Sequence, residues 1–293
     1  MLGYLRSLIR RKSVGFCFLS FLLFLCACCE LDLQGNDAIQ PKLSEASLQV
    51  VVLEDRSGCE VSGVPGKLGF DDFYKKYCDA GGIPVISSEN VRDLALQQAY
   101  YIIMNMLAPI PEVRQELIAN GAYFAIIGIK EQQTTLPEYA HLDSDYWDQR
   151  ARGLGGSRDL PITSVGEENL LCMSRMVDGY RGESVAVHEF AHTISLMGLK
   201  KEDFEILERE FNSIYESAIA EGLWYDTYAG SNAGEYWAEG VQTYFNTNLS
   251  SEKPDGVHNH VNTREELAGY DPALYAFISA FFHDFEWTPI CPE

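Results

Sequence analysis

The chain has 293 residues, of which 46% are hydrophobic and 22% charged, and carries a formal net charge of −21. That is the composition of an ordinary globular protein and excludes a disordered or fibrous one. A surface so acidic, with no basic patch, repels phosphate backbones, which argues against nucleic acid as a partner; solubility is the plain meaning of the charge.

Arg6, Arg10, Arg11 and Lys12 precede an apolar run from Val14 to Cys29 that is short for a membrane span, so residues 1–29 read as an export signal. Its end, Leu25-Cys26-Ala27-Cys28, resembles a bacterial lipobox, in which Cys28 would be lipidated and would attach the protein to a membrane. Plain secretion and a retained anchor are the alternatives, because Cys26 and Cys29 blur the point of cleavage. No acidic residue precedes Glu30, so loss of those four basic residues takes the charge from −21 to −25. Residues 30–46 are polar and irregular, as a tether would be, and 47–293 are expected to form one domain. An exported chain would retain Cys59, Cys78, Cys172 and Cys291. We expect Cys59 to pair with Cys78 and Cys172 with Cys291, free buried thiols being the alternative.

Along the domain, Leu48 to Leu53 reads as a strand and Phe70 to Ala80 as a short helix stopped by Gly81 and Gly82. Ile83 to Ile86 reads as a second strand. A long helix capped by Ser87 or Ser88 follows to about Leu107, then a helix from Pro111 to Asn120 and a buried strand from Tyr123 to Ile129. From Pro137 to Gly156 periodicity is lost, and a loop of that length inside a domain suggests a lid or rim over a site. A strand near Leu170 to Met173 precedes helices at about Gly182 to Met197, Glu202 to Glu221, Ala233 to Asn248 and Pro272 to Phe285. The fold class this order implies is α+β, a small mixed sheet followed by a mostly helical C-terminal half.

The chemistry is concentrated in His188-Glu189-Phe190-Ala191-His192. On a helix, residues i and i+4 lie one above the other, so two imidazoles can grip one metal ion from the same side. Glu189 beside them can act as general base towards a metal-activated water and then protonate a leaving amine. Two satisfied core histidines on a buried helix are the competing account. A catalytic zinc usually has three protein ligands, and Glu235 and Glu239 stand i and i+4 on a later helix. Glu235 is assigned to the metal. Glu239 is assigned to the free ring N–H of a ligating histidine, which it would hold in one tautomer. On spacing alone, Asn232-Ala233-Gly234-Glu235 is equally a capping box in which Glu235 only satisfies the helix start. His258 and His260 fall in a Gly- and Asn-rich segment and read as a solvated loop rather than a second metal site, while His141 and His283 stand apart. Gly153-Leu154-Gly155-Gly156 lacks the strand-to-helix context of a phosphate cradle.

The segment from Val185 to about Phe245 resembles the anthrax-lethal-factor-like metallopeptidases, including the Pro-Pro endopeptidases, a branch of the zincins. In that family an HExxH helix is followed by a Tyr and, seven residues later, by the ligand Glu of an E-aromatic-aromatic-A-E segment. Tyr228 and Glu235 keep the interval, and Glu235-Tyr236-Trp237-Ala238-Glu239 keeps the segment. The resemblance implies a single zincin-like domain with one Zn2+ held by His188, His192 and Glu235. It also implies Glu189 as general base and Tyr228 as the hydroxyl that stabilises the oxyanion or protonates the leaving group. Thr163 to Asn169 and Val261 to Glu266 are similar to segments of uncharacterised exported relatives, which bears on family and not on activity. The resulting expectation is an exported, monomeric zinc endopeptidase acting on a peptide or protein substrate. The substrate is expected to add to an edge strand, for which Tyr123 to Ile129 is the candidate. A catalytically silent zincin-fold surface or binding protein, and a zinc hydrolase of non-peptide substrates, are the alternatives.

Overall fold

The computed structural model describes residues 52–53 and 56–292. The expected export signal and tether, and all but the end of the expected Leu48 to Leu53 strand, lie outside these residues. Val52 and Leu53 are not in a strand; the Leu53 N–H donates to Asn105 Oδ1.

Lys76–Ala80 (β2) and Ile83–Ser87 (β3) form an antiparallel hairpin, with the short Ser62–Gly63 (β1) outside β2. The helix expected over Phe70 to Ala80 is therefore wrong in type. Gly81 and Gly82 both have positive φ, 63° and 99°, the conformation of a two-residue hairpin turn whose twist matches that of the flanking strands. Such a pair joins strands rather than ending a helix. The chain then rises through Asp93–Leu107 (α1) and Pro111–Ala119 (α2) to Tyr123–Ile127 (β4), parallel to β3. α1 begins at Asp93 with Arg92 at its cap position, because Ser88 turns away to donate to Glu131.

The segment expected to be an irregular loop from Pro137 to Gly156 holds Ser144–Arg150 (α3), capped by Asp143, and Gly153–Leu154 (β5). β5 runs antiparallel to Ile162–Gly166 (β6), which lies parallel to β4 and completes a mixed six-stranded sheet in the order β1-β2-β3-β4-β6-β5. The strand expected near Leu170 to Met173 lies earlier, at β6, and runs straight into the short helix Glu167–Leu170 (α4). The remainder is helical: Val185–Met197 (α5), Lys201–Ala220 (α6), Ala233–Tyr244 (α7), Arg264–Tyr270 (α8) and Pro272–Phe281 (α9). The architecture is α+β, a small mixed sheet followed by a helical half.

β4 is buried on both faces. Phe124 and Ile126 meet the main core with α1 and α5, while Ala125 and Ile127 meet a smaller cluster with Tyr74, Leu136, Tyr139 and Ile162. A parallel strand covered on both sides reads as a continuous apolar run, as Tyr123–Ile127 does. It pairs with β3 on one side and β6 on the other, so it has no free edge, and the expectation that it receives a substrate strand is incorrect. The edge strand on the β6 side is β5.

Thr163 to Asn169 ties these layers together. Glu167 receives the Arg92 guanidinium at 2.7 Å. Glu168 accepts both Nε and Nη2 of Arg152, at 2.6 and 2.7 Å, while the same guanidinium donates to the carbonyls of Glu131 and Gly128. Asn169 Oδ1 accepts the Val185 N–H at the start of α5.

The expected disulfides are both present, Cys59–Cys78 and Cys172–Cys291. Two disulfides suit an oxidising compartment. Among the described residues no helix is long and apolar enough to cross a membrane. The loops closed span 19 and 119 residues, for which loop-closure entropy gives about 3 and about 5 kcal/mol. Replacing Cys172 and Cys291 together by Ser should therefore lower the denaturant midpoint more than replacing Cys59 and Cys78. Equal shifts, or the reverse order, would contradict this.

Candidate metal centre

α5 enters the core with its first turn fixed from outside. Ser184 Oγ accepts the Val187 N–H, and the Ser184 N–H donates to the Thr247 carbonyl. Val185, Val187, Phe190, Ala191, Ile194 and Met197 bury its apolar positions, and the remaining face carries His188, Glu189 and His192 into a cleft of about 550 Å³. α7 crosses this helix. Asn232 Oδ1 accepts the Glu235 N–H at its start, and Trp237 donates its indole N–H to the Ala191 carbonyl at 2.8 Å. That bond locks α7 against the middle of the motif. Only half of the capping box forms, since the Glu235 side chain turns to the histidines.

Glu235 Oε2 lies 3.1 Å from His188 Nε2 and 3.2 Å from His192 Nε2, and the two nitrogens are 3.2 Å apart. Three donor atoms bonded to one tetrahedral zinc at about 2.0–2.1 Å would be separated by about 3.3 Å, so the triangle has the size a zinc ion requires. The outer side of His188 supports the same arrangement. Its Nδ1 faces two acceptors, Gln242 Oε1 at 3.1 Å and Glu239 Oε1 at 3.3 Å, so Nδ1 carries a proton and Nε2 is left to present a lone pair inward. Glu239 is buried and anchored in turn by Asn248 Nδ2. The structure thus brings all six sequence-selected residues together: His188, Glu189, His192, Tyr228, Glu235 and Glu239 line one cleft.

Charges are shifted accordingly. Burial opposes ionisation of Glu235, but hydrogen bonds from His188 and His192 outweigh it and hold the carboxyl below the usual carboxylate range. Burial would lower the His188 pKa, yet its bonds to Glu235 and Glu239 carry it well above the ordinary histidine value. Glu189 is raised by burial against the pull of the two histidines, and the Gly155 N–H is aimed at its carboxylate. The Tyr228 hydroxyl donates to Glu235 Oε1 at 3.1 Å, and its pKa is pushed up to about 12 by burial and by that carboxylate, so it stays protonated at neutral pH.

Several contributors were not singled out in the sequence. Gln242 stands two turns after Glu235, and following the helix period one step further would have found it. Gly153 and Gly155 let β5 lie against the motif helix. A Cβ at Gly153 would sit 2.9 Å from Glu189 Cγ, and one at Gly155 2.5 Å from His192 Cβ and 2.9 Å from the Glu189 carbonyl. The segment that resembles no phosphate cradle thus serves close packing. α3 and the residues after it, from Tyr146 to Gly155, form one wall of the cleft, in keeping with a rim. His258, expected in a solvated loop, instead points inward, its side chain 10% exposed and 3.2 Å from Glu183 Oε2. His260 is exposed and packs edge-on to Tyr270.

Compared with known proteins, the chain matches no family model and no curated protein.

Two outcomes are expected. Gly155→Ala forces its Cβ into the backbone and side chain of the motif helix, which should cost about 2 kcal/mol of stability and weaken any metal binding by the two histidines, read by denaturant unfolding and metal content. A variant with native stability and full metal would show that the close approach is dispensable. Because hydrogen bonds to Glu235 and Glu239 make His188 more basic, a metal must compete with a proton for its inward nitrogen. Metal retained on dialysis should fall as the pH is lowered from about 8 to about 5, and constant retention would contradict the assignment of these residues as ligands.

Proposed function

We propose that this protein is a zinc-dependent endopeptidase of the zincin type, working outside the cytoplasm. The observation that carries the reading is the triangle of His188, His192 and Glu235 donor atoms with Glu189 and Tyr228 on the same cleft. The resemblance around HEFAH, Tyr228 and Glu235 supports the choice of peptides as substrate. A zinc ion there, when bound, supplies Lewis-acid polarisation of a carbonyl oxygen and lowers the pKa of water to about 7.

The residues of the chain divide the remaining work. Glu189, half-buried and oriented by the Gly155 N–H, takes the proton from the attacking water and passes it to the nitrogen of the leaving amine. Its raised pKa suits both halves of that transfer, since a carboxylate that re-protonates more readily is a better acid in the second. Tyr228 keeps its proton at neutral pH, and its hydroxyl, which donates to Glu235 Oε1, turns from that carboxylate to the oxygen that gains negative charge. Glu239 and Gln242 hold the His188 ring in one tautomer. The substrate backbone lies along the free side of β5, where Gly153, Leu154 and Gly155 line the cleft. Tyr146, Trp147, Val257 and Leu196 give the cleft apolar walls for side chains. The disulfides support an exported location, and attachment through Cys28 is the membrane-linked form of the same proposal.

The test begins with metal content. The native chain should keep about one zinc per molecule on dialysis and Glu235→Ala should lose most of it. On a peptide library, Glu189→Gln should cut at least about a hundredfold more slowly with zinc retained, and Tyr228→Phe about a hundredfold more slowly at nearly unchanged KM. A native chain that holds no zinc after reconstitution refutes the metal centre. One that holds zinc but cuts no peptide is a zinc-bearing binding module instead.

A further inference from the structure

The loop bearing His258 is built tightly. Asp255 Oδ1 accepts the N–H groups of both Val257 and His258, and the Asp255 N–H reaches the His258 carbonyl. This turn pairs with the segment that carries Tyr228: the Gly256 N–H donates to the Asp226 carbonyl at 3.0 Å, and the Tyr228 N–H donates to the Val257 carbonyl at 2.8 Å. The Tyr228 segment needs such support. Trp224 and Asp226 both sit at positive φ, 58° and 51°, a region L side chains adopt at a cost and keep only where surrounding contacts impose it.

The turn is tied to the motif helix by the His258 imidazole, whose Nε2 meets Glu183 Oε2 at 3.2 Å with both side chains nearly buried. Glu183 immediately precedes the Ser184 cap of the motif helix. The ion pair therefore joins the start of α5, which carries His188, Glu189 and His192, to the turn that holds Tyr228. A second path from Glu183 runs through Gln242 Nε2 to His188, but its first bond is long, 3.5 Å. The groups facing His258 are acidic: Glu183 ahead of α5, Glu239 on α7 and Asp255 in its own turn. They keep the imidazole charged above the ordinary histidine range, so the pair is at full strength below about pH 6.5 and weakens as pH rises through the raised value.

We propose that His258, through its ion pair with Glu183, is a positioning residue that holds the Tyr228 hydroxyl in register with the motif helix. This rests on the reading of Tyr228 as the donor to the developing oxyanion.

The experiment uses the full zinc-loaded chain with His258→Ala, Glu183→Gln, Tyr228→Phe and the double variant His258→Ala/Tyr228→Phe, followed by amide hydrogen exchange and by kinetics. In His258→Ala, exchange at the Tyr228 amide should quicken about tenfold while α5 and the zinc content stay native. The value of kcat should fall about tenfold with KM nearly unchanged, and the same substitution should have no further effect in the Tyr228→Phe background. Glu183→Gln, which keeps an acceptor of the same shape, should move both readouts in the same direction by less. Unchanged protection of the Tyr228 amide overturns the proposal, as does an effect on kcat that adds in full to that of Tyr228→Phe. If His258→Ala fails to fold, Glu183→Gln decides on the same two readouts. If the native chain cuts no peptide, the enzyme reading falls, and the exchange result alone still decides whether the ion pair holds Tyr228.

Discussion

Three electron-rich atoms, two imidazole nitrogens and a carboxylate oxygen, are held 3.1–3.2 Å apart at the crossing of two helices. With neither a cation nor a proton among them such atoms would repel, and in a partly buried cleft water would do little to screen the repulsion. The fold fixes all three from outside the triangle. α5 is anchored at its start by Ser184 and Asn169, α7 by Asn232, and the crossing point by the Trp237 indole on the Ala191 carbonyl. A site kept in place against its own electrostatics gains free energy when a cation or protons arrive. The carboxylates of Glu235 and Glu239 raise the basicity of His188 against its burial, and the two histidines lower that of Glu235.

The parts of this arrangement legible in sequence are those set by helix periodicity. His188 with His192, and Glu235 with Glu239, are i and i+4 pairs whose common face needs no tertiary information. The meeting of the two helices is a different matter. It depends on packing between segments 43 residues apart, and it came into view through the family resemblance rather than through spacing. Asn232 shows the limit of local reading, because the capping-box pattern predicts both halves of a reciprocal bond and the histidines capture one of them. Gly81 and Gly82 show another: glycine ends helices and turns hairpins, and only the pairing of β2 with β3 separates the two. The edge strand was missed because β5 is two residues long and rich in glycine, with no alternating pattern, whereas the apolar run of β4 marks a strand buried on both sides. His258 was misread since a polar, turn-forming neighbourhood says nothing about the carboxylate waiting 75 residues earlier.

Gly153 in β5, Gly155 just after it and the glutamates after β6 act together on the cleft. Gly153 and Gly155 let the edge strand approach α5 closely, and the bidentate Arg152–Glu168 pair prevents the residue next to them from drifting away. A pair buried on one side and tied to two carbonyls by its remaining N–H groups is oriented as well as neutralised. The wall that would face a substrate is thus stiff where it touches the motif helix and more exposed at Tyr146 and Arg150, at its outer end.

The Cys172–Cys291 bond gives the molecule a property independent of its stability. Every residue of the candidate centre, from His188 to Glu239, lies in sequence between these two cysteines, so the site sits on a covalent ring. Within that ring the segment around Met176 is the most exposed apolar stretch, with Met176 itself 97% accessible. A single backbone cut there by a protease opens the ring without dividing the molecule. Both sides of the cut stay joined under oxidising conditions, and the histidine and glutamate helices remain on one continuous length of chain. Damage that would release a fragment from an unbridged protein leaves this one nicked but whole until the bond is reduced.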